Sequence, residues 1–337
     1  MTMATAQKPL LRATKLSKIY KSGRSLLPSR RQQVHAVNEV SLEVMPGETL
    51  GIVGESGCGK SSLGRCLTRL QDISSGRLEF DGRDITDLSL RQIRPLRREM
   101  QMVFQDPAAS LNARRRVGDL LAEPFRIHGI GARSEIEDRV SELLRRVGLR
   151  SEHALRFPHE FSGGQKQRIG IARALALHPK LLVADEPVSA LDVSIQAQII
   201  NLLAELREEF GLTYVFIAHD LAVVRQISNR VAVMYLGAIV EVGDADEVFS
   251  TPRHPYTRVL REAMPEPRLH AKRPERAQVK GDLPSPFSPP PGCPFHTRCA
   301  FAKERREVQR PALVKAADGR AVACHYPLDG PHPTGLA

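Results

Sequence analysis

Three short runs of this 337-residue sequence carry groups that could act together on a phosphorylated ligand. The first is GESGCGKS, Gly54 to Ser61, which fits G-x-x-x-x-G-K-[ST] and follows the apolar stretch ETLGIV. That layout suits phosphate: glycines let successive backbone N–H groups curl around the anion, and a helix opening there adds partial positive charge. Lys60 could then reach the β- and γ-oxygens, and the Ser61 hydroxyl could serve Mg2+. The second run is Asp185-Glu186, where the apolar stretch LLVA ends. A carboxylate at the C-terminal edge of a buried strand is what a magnesium site on an α/β sheet requires, and its neighbour could polarise an attacking water. The third is His219, which ends TYVFIA in the same way. A further segment, FSGGQ (161–165), offers a hydroxyl and two glycines where a helix should begin. Alone it reads first as an ordinary N-cap formed by Ser162.

These groups must be delivered by elements. Partial alternation over 34–44 and the apolar run at 48–54 predict strands, and the pattern turns helical over 60–70. Another buried strand is predicted at 100–104, followed by a mostly helical insert over 117–147 and a helix from Ser162 to about His178. Strands at 181–184 and 213–218 flank a helical stretch at 194–210, which is the signature of a parallel sheet with crossover helices. The basic segment KSGRSLLPSRRQQ between Tyr20 and Val34 reads as a solvated hairpin tip. Past Pro265 the composition shifts, and SPFSPPPG (285–292) can be neither helix nor inner strand. A small loop-rich appendix is expected there. No internal repeat is visible, so one nucleotide-binding unit is expected.

Composition narrows the class. With 42% hydrophobic and 26% charged residues, the chain cannot be disordered throughout. The longest apolar run, Val231 to Val240, is broken by Gly237 and falls far short of the roughly 18 residues of a membrane span. The start, MTMATAQKPLLR, lacks the continuous apolar segment of an export signal, so a soluble cytoplasmic protein is expected. A formal charge of +11 allows nucleic acid, an anionic surface or a phosphate-rich ligand without choosing among them. Aromatics at 5% with no Trp give little basis for reading single strands by stacking. Five cysteines, an odd number without an export signal, argue against a disulfide framework.

Taken in order, GESGCGKS, FSGGQ, LLVADE and AHD resemble the ATP-binding cassette of the ABC transporter superfamily over roughly residues 10–265. The resemblance implies an α/β fold: a P-loop NTPase cassette (8–265) with a RecA-like parallel-sheet core, an antiparallel β subdomain and a helical signature subdomain at about 107–165. A small C-terminal extension (266–337) would follow. It implies ATP contacts from Tyr20, Gly54, Glu55, Ser56, Gly57, Cys58, Gly59, Lys60, Ser61, Ser62, Gln105 and His219, with Tyr20 stacking on the adenine. Catalysis would rest on Glu186, His219, Gln105 and Lys60, and Mg2+ on Ser61, Gln105 and Asp185. Two cassettes would pair head to tail, so that Ser162, Gly163, Gly164, Gln165 and Asp192 (in SALD, 189–192) act on the other chain's nucleotide. Phe161 stands where the family usually has Leu; every catalytic group is present, so an inactive cassette is disfavoured.

The far end narrows the resemblance. HPYTRVLREAMP (254–265), GDLPSPFSPPPGCPFHTRCAFA (281–302) and VACHY (322–326) are similar to the C-terminal extension of oligopeptide, dipeptide and nickel importer ATPases, and 103–124 resembles their second ATPase subunit. This implies an ATPase powering peptide import, peripheral on the cytoplasmic face of the inner membrane. Its partners would be a paralogous ATPase in a heterodimer, two integral membrane permease subunits and an extracytoplasmic binding protein. Nickel, glutathione or another small solute are alternative cargoes. A soluble ABC ATPase acting on nucleic acid is an alternative of another class; the stretch between phosphate loop and signature lacks that group's long insertions, so no nucleic-acid partner is expected. Some relatives hold an iron–sulfur cluster on four cysteines of the extension. Here Cys293, Cys299 and Cys324 match, and Arg306 stands near the fourth position. A cluster normally takes four thiolates, so unless His296 or His325 substitutes, a metal-free extension is expected.

Overall fold

The computed structural model describes residues 8–21, 33–264, 284–285, 287–302 and 304–328. Most of the basic segment expected as a hairpin tip, the junction at 265 and part of the Pro-rich stretch lie outside them.

The chain starts with alternation. β1 (Leu11–Lys21) and β2 (Gln33–Val44) pair antiparallel and bury Leu11, Ala13, Leu16, Val37, Val40, Leu42 and Val44 on one side. Alternation then gives way to β3 (Thr49–Val53), buried at all five positions as a central parallel strand must be. α1 (Lys60–Leu67) follows the phosphate-loop motif. β4 (Ser75–Phe80) and β5 (Arg83–Asp84) complete a four-stranded antiparallel sheet in the order β2-β1-β4-β5. After α2 (Leu90–Leu96) and β6 (Met100–Val103) comes the helical insert: α3 (Pro107–Ser110), α4 (Val117–His128), α5 (Arg133–Arg146) and α6 (Gly163–Leu175). β7 (Leu181–Asp185), α7 (Val193–Phe210), β8 (Thr213–Ile217), α8 (Leu221–Ile227), β9 (Arg230–Tyr235) and β10 (Ala238–Asp244) finish the core. α9 (Ala245–Ser250) and α10 (Pro255–Glu262) lead to the extension, with α11 (Glu304–Val308), β11 (Val314–Lys315) and β12 (Ala321–Val322).

The second sheet runs β11-β12-β10-β9-β3-β8-β7-β6, parallel from β9 to β6 and antiparallel beyond. Each fully buried Leu or Val of β7 contributes about 1.5–3 kcal/mol. α1 lies close against this sheet because Gly64 has no side chain. A Cβ there would sit 2.7 Å from Ile217 Cδ1 and 3.1 Å from Val183 Cγ1.

Three details depart from the sequence reading. The helix expected to reach His178 ends at Leu175, where His178 adopts φ +50° and returns its N–H to the Leu175 carbonyl. The run Val231–Val240 is two strands folded about Leu236-Gly237. The appendix also contributes strands of its own: β12 adds to β10 and extends the central sheet. Among the described residues, no helix is long and apolar enough to cross a membrane.

Candidate nucleotide site

β3 ends at Val53, and the loop 54–59 turns directly into α1. The turn depends on Gly59: its φ is +103°, and a Cβ would lie 1.9 Å from the Ala36 carbonyl oxygen of β2. Lys60 is buried, and its Nζ donates to the carbonyls of Gly54 (2.8 Å) and Glu55 (3.0 Å). The ammonium thus closes the loop to which it belongs. Gly237 ties the loop to the β9–β10 turn by donating its N–H to the Cys58 carbonyl at 2.8 Å. Burial pushes the Cys58 thiol up, against the charge of Lys60, so it stays an uncharged packing group.

Across the loop, Ser61 Oγ donates to Asp185 Oδ1 at 2.8 Å. Asp185 ends β7 and is almost wholly buried. Burial pushes its carboxyl above the usual range, against the Ser61 hydrogen bond and the charges of Arg65 and Lys60. A buried carboxylate beside a hydroxyl at the phosphate loop fits Mg2+, whose hard oxygen preference this pair matches. Gln105, two residues past the end of β6, lines the same cleft as Ser61.

The next residue, Glu186, takes φ +46°, and its N–H donates to the Ile217 carbonyl at 2.9 Å. This left-handed step, costly for a non-glycine residue, turns the carboxylate out of the strand. Gln105 Nε2 donates to Glu186 Oε2 at 2.9 Å, and His219 Nδ1 lies 3.4 Å from the same oxygen. β6, β7 and β8 are neighbours in the sheet, so these three side chains meet because each follows its own strand.

Part of this set lines a cleft of about 340 Å³, whereas Gly54, Glu55, Asp185 and His219 stand outside its lining. Ser56, Gly57, Cys58, Gly59, Lys60, Ser61 and Ser62 form its floor, with Tyr20, Gln105 and Glu186 around it. Tyr20 OH donates to Gln71 Oε1 at 3.0 Å and lies 3.4 Å from Ser62 Oγ. Lining residues that sequence reasoning missed are Val34, His35, Ala36, Asn38, Leu236, Gly237 and Pro289. They come from β2, the β9–β10 turn and the extension, and carry no local motif.

The signature residues lie elsewhere. Ser162 caps α6: its Oγ accepts the Gln165 N–H at 3.3 Å, while Gln165 Oε1 accepts the Ser162 N–H at 3.0 Å. Ser162 and Gly163 are exposed, Gly164 is packed against Ile195, and exposed Asp192 opens α7. None of Ser162, Gly163, Gly164, Gln165 and Asp192 lines the cleft.

The cysteines of the extension surround a cation. Arg306, 1% exposed, donates from Nη1 to Cys299 Sγ at 2.7 Å and from Nη2 to the Tyr326 carbonyl at 3.2 Å, with Nη2 3.6 Å from Cys324 Sγ. The Cys293 N–H donates to the Arg306 carbonyl at 2.8 Å. Burial pushes all three thiols up, although Arg306 favours their thiolates. A guanidinium in contact with two of the three sulfurs does not fit an iron–sulfur cluster: it brings positive charge and no fourth ligand. His296 Nδ1 faces the Cys293 carbonyl at 2.9 Å and His325 Nε2 the Gln309 carbonyl at 2.8 Å, so one nitrogen of each ring is engaged by a backbone carbonyl.

Comparison with known proteins gives a consistent result. The family profile described as ABC transporter matches residues 37–189, and the one described as oligopeptide/dipeptide transporter, C-terminal region, matches 240–305. The chain is 51% identical over 324 residues to the oligopeptide transport ATP-binding protein AppF of Bacillus subtilis, covering 96% of this chain and 98% of that one. It is 50% identical over 317 residues to the di/tripeptide transport ATP-binding protein DppF of Pseudomonas aeruginosa, covering 94% and 97%. Among solved structures, a dimeric ATP-binding cassette in a post-hydrolysis state bound to ADP and Pi matches with a TM-score of 0.63 and 29% identity, over 70% of this chain and 98% of that one.

Proposed function

The chain belongs to the ABC transporter family, among the ATP-binding subunits of oligopeptide and dipeptide transporters, and from that premise we propose how its residues perform the work. It is an ATPase that powers peptide import. The observation that carries the mechanism is the convergence of three contacts at one sheet edge: Ser61 on Asp185, and Gln105 and His219 on Glu186.

In our reading the loop N–H groups receive the β-phosphate, and Lys60 exchanges the Gly54 and Glu55 carbonyls for β- and γ-oxygens. Mg2+, held by Ser61, Asp185 and Gln105, supplies charge neutralisation at the phosphates. Glu186 accepts a hydrogen bond from the attacking water, and Gln105 and His219 fix the carboxylate that does so. Tyr20 meets the adenine. The exposed Ser162 tip, remote from its own chain's cleft, serves the nucleotide of a second ATPase subunit, so ATP closes the pair and loss of phosphate opens it. Ser162, Gly163, Gly164, Gln165 and Asp192 act in that partner's site.

One surface feature supports a membrane partner. A second cleft, of about 430 Å³, lies between the core and the helical insert and is lined by Leu70, Leu90, Phe104, Pro124 and Ile127. Leu70, Leu90 and Ile127 are exposed, an apolar group suited to a permease segment. Phe104 borders this cleft and Gln105 the nucleotide cleft, so docking and nucleotide state share one chain segment. Its likeness to peptide transport ATP-binding proteins supports placing the chain on the cytoplasmic face of the membrane, with a paralogous ATPase, two permeases and an external binding protein, and with no nucleic acid. Residues 8–265 are the cassette, 107–165 its helical subdomain and 266–337 a metal-free extension.

The test is peptide uptake and phosphate release by the assembled complex in vesicles. Glu186→Gln should retain ATP while lowering turnover by about 10²–10⁴-fold. Unchanged turnover would remove Glu186 from this role, and ATPase activity indifferent to peptide-loaded binding protein would remove the cargo.

A further inference from the structure

The second residue of the phosphate loop, Glu55, carries a carboxylate into a segment built to hold anions. That carboxylate is bound by the C-terminal extension. Arg298 donates from Nη1 to Glu55 Oε2 at 2.8 Å and from Nη2 to Glu55 Oε1 at 3.1 Å, a two-pronged pair spanning 243 positions of sequence. The Arg298 side chain is only 10% exposed and its Nη1 also reaches Tyr235 OH at 3.5 Å, so the guanidinium lies sandwiched under the loop. The same residue is held a second time: the Glu55 N–H donates to Tyr256 OH at 2.8 Å. Tyr256 packs with Tyr235 and Phe295 at ring-centroid distances of 4.6 and 5.4 Å, joining α10, β9 and the extension in one aromatic cluster. Ser56 lines the cleft, whereas Glu55 does not.

From this geometry we infer that Arg298 is a positioning residue for the nucleotide site: it holds the Glu55 carboxylate off the bound triphosphate and so makes nucleotide affinity depend on the docked extension. Two effects act in one direction. Freed of Arg298, Glu55 is an uncompensated negative charge beside phosphate, and the loop loses its side-chain anchor. The coupling is reciprocal, so ATP that favours the clamped loop also favours the docked extension.

The inference rests on the proposed reading of the cleft as the ATP site, and the full-length chain with Mg-ATP separates the two. Arg298→Ala should weaken Mg-ATP binding at least about fivefold, within the usual range of such couplings. Arg298→Lys, which keeps the charge and loses the fork, should fall between. Arg298→Ala with Glu55→Gln should bind more tightly than Arg298→Ala alone, because the repelling charge is gone; a role in packing alone would give no such recovery. Hydrogen exchange over 293–302 should slow on adding Mg-ATP to the wild type and not to Arg298→Ala. Should Arg298→Ala bind Mg-ATP within about twofold of the wild type, or the double variant show no recovery, the inference is wrong while the ATP site stands. Should the wild type fail to bind Mg-ATP, or Lys60→Ala bind it equally well, the reading of the cleft fails first.

Discussion

His254 shows how one side chain ties stability to pH. It is wholly buried at the start of α10, where its Nδ1 accepts the Tyr256 N–H at 3.1 Å and its own N–H donates to Glu241 Oε2 at 2.9 Å. Burial, with the charge of Arg306 adding to it, holds the ring down to about 3, from 6.5 for a free histidine. The folded state therefore refuses a proton that the unfolded chain accepts below pH 6.5. Its contribution is full above that pH and is lost as pH falls toward 3, at about 1.4 kcal/mol per pH unit. Between pH 6.5 and 5 this histidine alone should remove about 2 kcal/mol of unfolding free energy. His254→Asn keeps a capping acceptor without a titrating ring. Denaturant unfolding at pH 7 and pH 5 should show a smaller difference for the variant; equal differences would mean that His254 is not buried neutral.

At the scale of elements, the extension is joined to the core through β10 and β12. Glu241, fully buried on β10, pairs with Arg320 just before β12 at 2.7 Å and also accepts the Arg253 and His254 N–H groups. Arg320 in turn donates to Thr251 Oγ1 and to the Thr251 carbonyl. Removing one partner of such a pair strands the other, so Arg320→Ala should cost about 3–5 kcal/mol, whereas Arg320→Met with Glu241→Met should recover much of that loss. Chemical denaturation of the single and double variants measures both; a cost below about 1 kcal/mol for Arg320→Ala would show the pair to be solvated.

This junction also shows where the sequence stops being informative. β3, β7 and β8 are readable because a central parallel strand must be apolar on both faces, and each ends in the group it presents: the phosphate loop, Asp185-Glu186 and His219. α7 is readable from its helical spacing. β11 and β12 are two residues each, and only their pairing with each other and with β10 makes them strands. That Gln105 and Glu186 serve one site is implied by the family resemblance, but Arg298 meeting Glu55 is not, since neither residue's neighbourhood points to the other. The Arg306 cage is half-legible: the missing fourth cysteine is visible in the sequence, whereas the guanidinium filling the space between two sulfurs is a property of the packing.

For the whole molecule, the exposed Ser162 tip and the cleft around Lys60 are separate features of the surface. In the proposed reading the cleft with Lys60 binds ATP within one chain, and the exposed Ser162 tip, which does not line that cleft, meets a second subunit. The account therefore separates affinity from turnover. The most direct measurement is Mg-ATP affinity of the isolated chain beside ATPase rate of the assembled complex, for Lys60→Ala and Ser162→Arg. Lys60→Ala should lose affinity by more than about tenfold, a change of about 1.4 kcal/mol. Ser162→Arg should leave the affinity of the isolated chain within about twofold, a small fraction of that change, yet sharply lower turnover in the complex. If Ser162→Arg weakened binding in the isolated chain as much as Lys60→Ala, or left the complex fully active, the shared site would be contradicted.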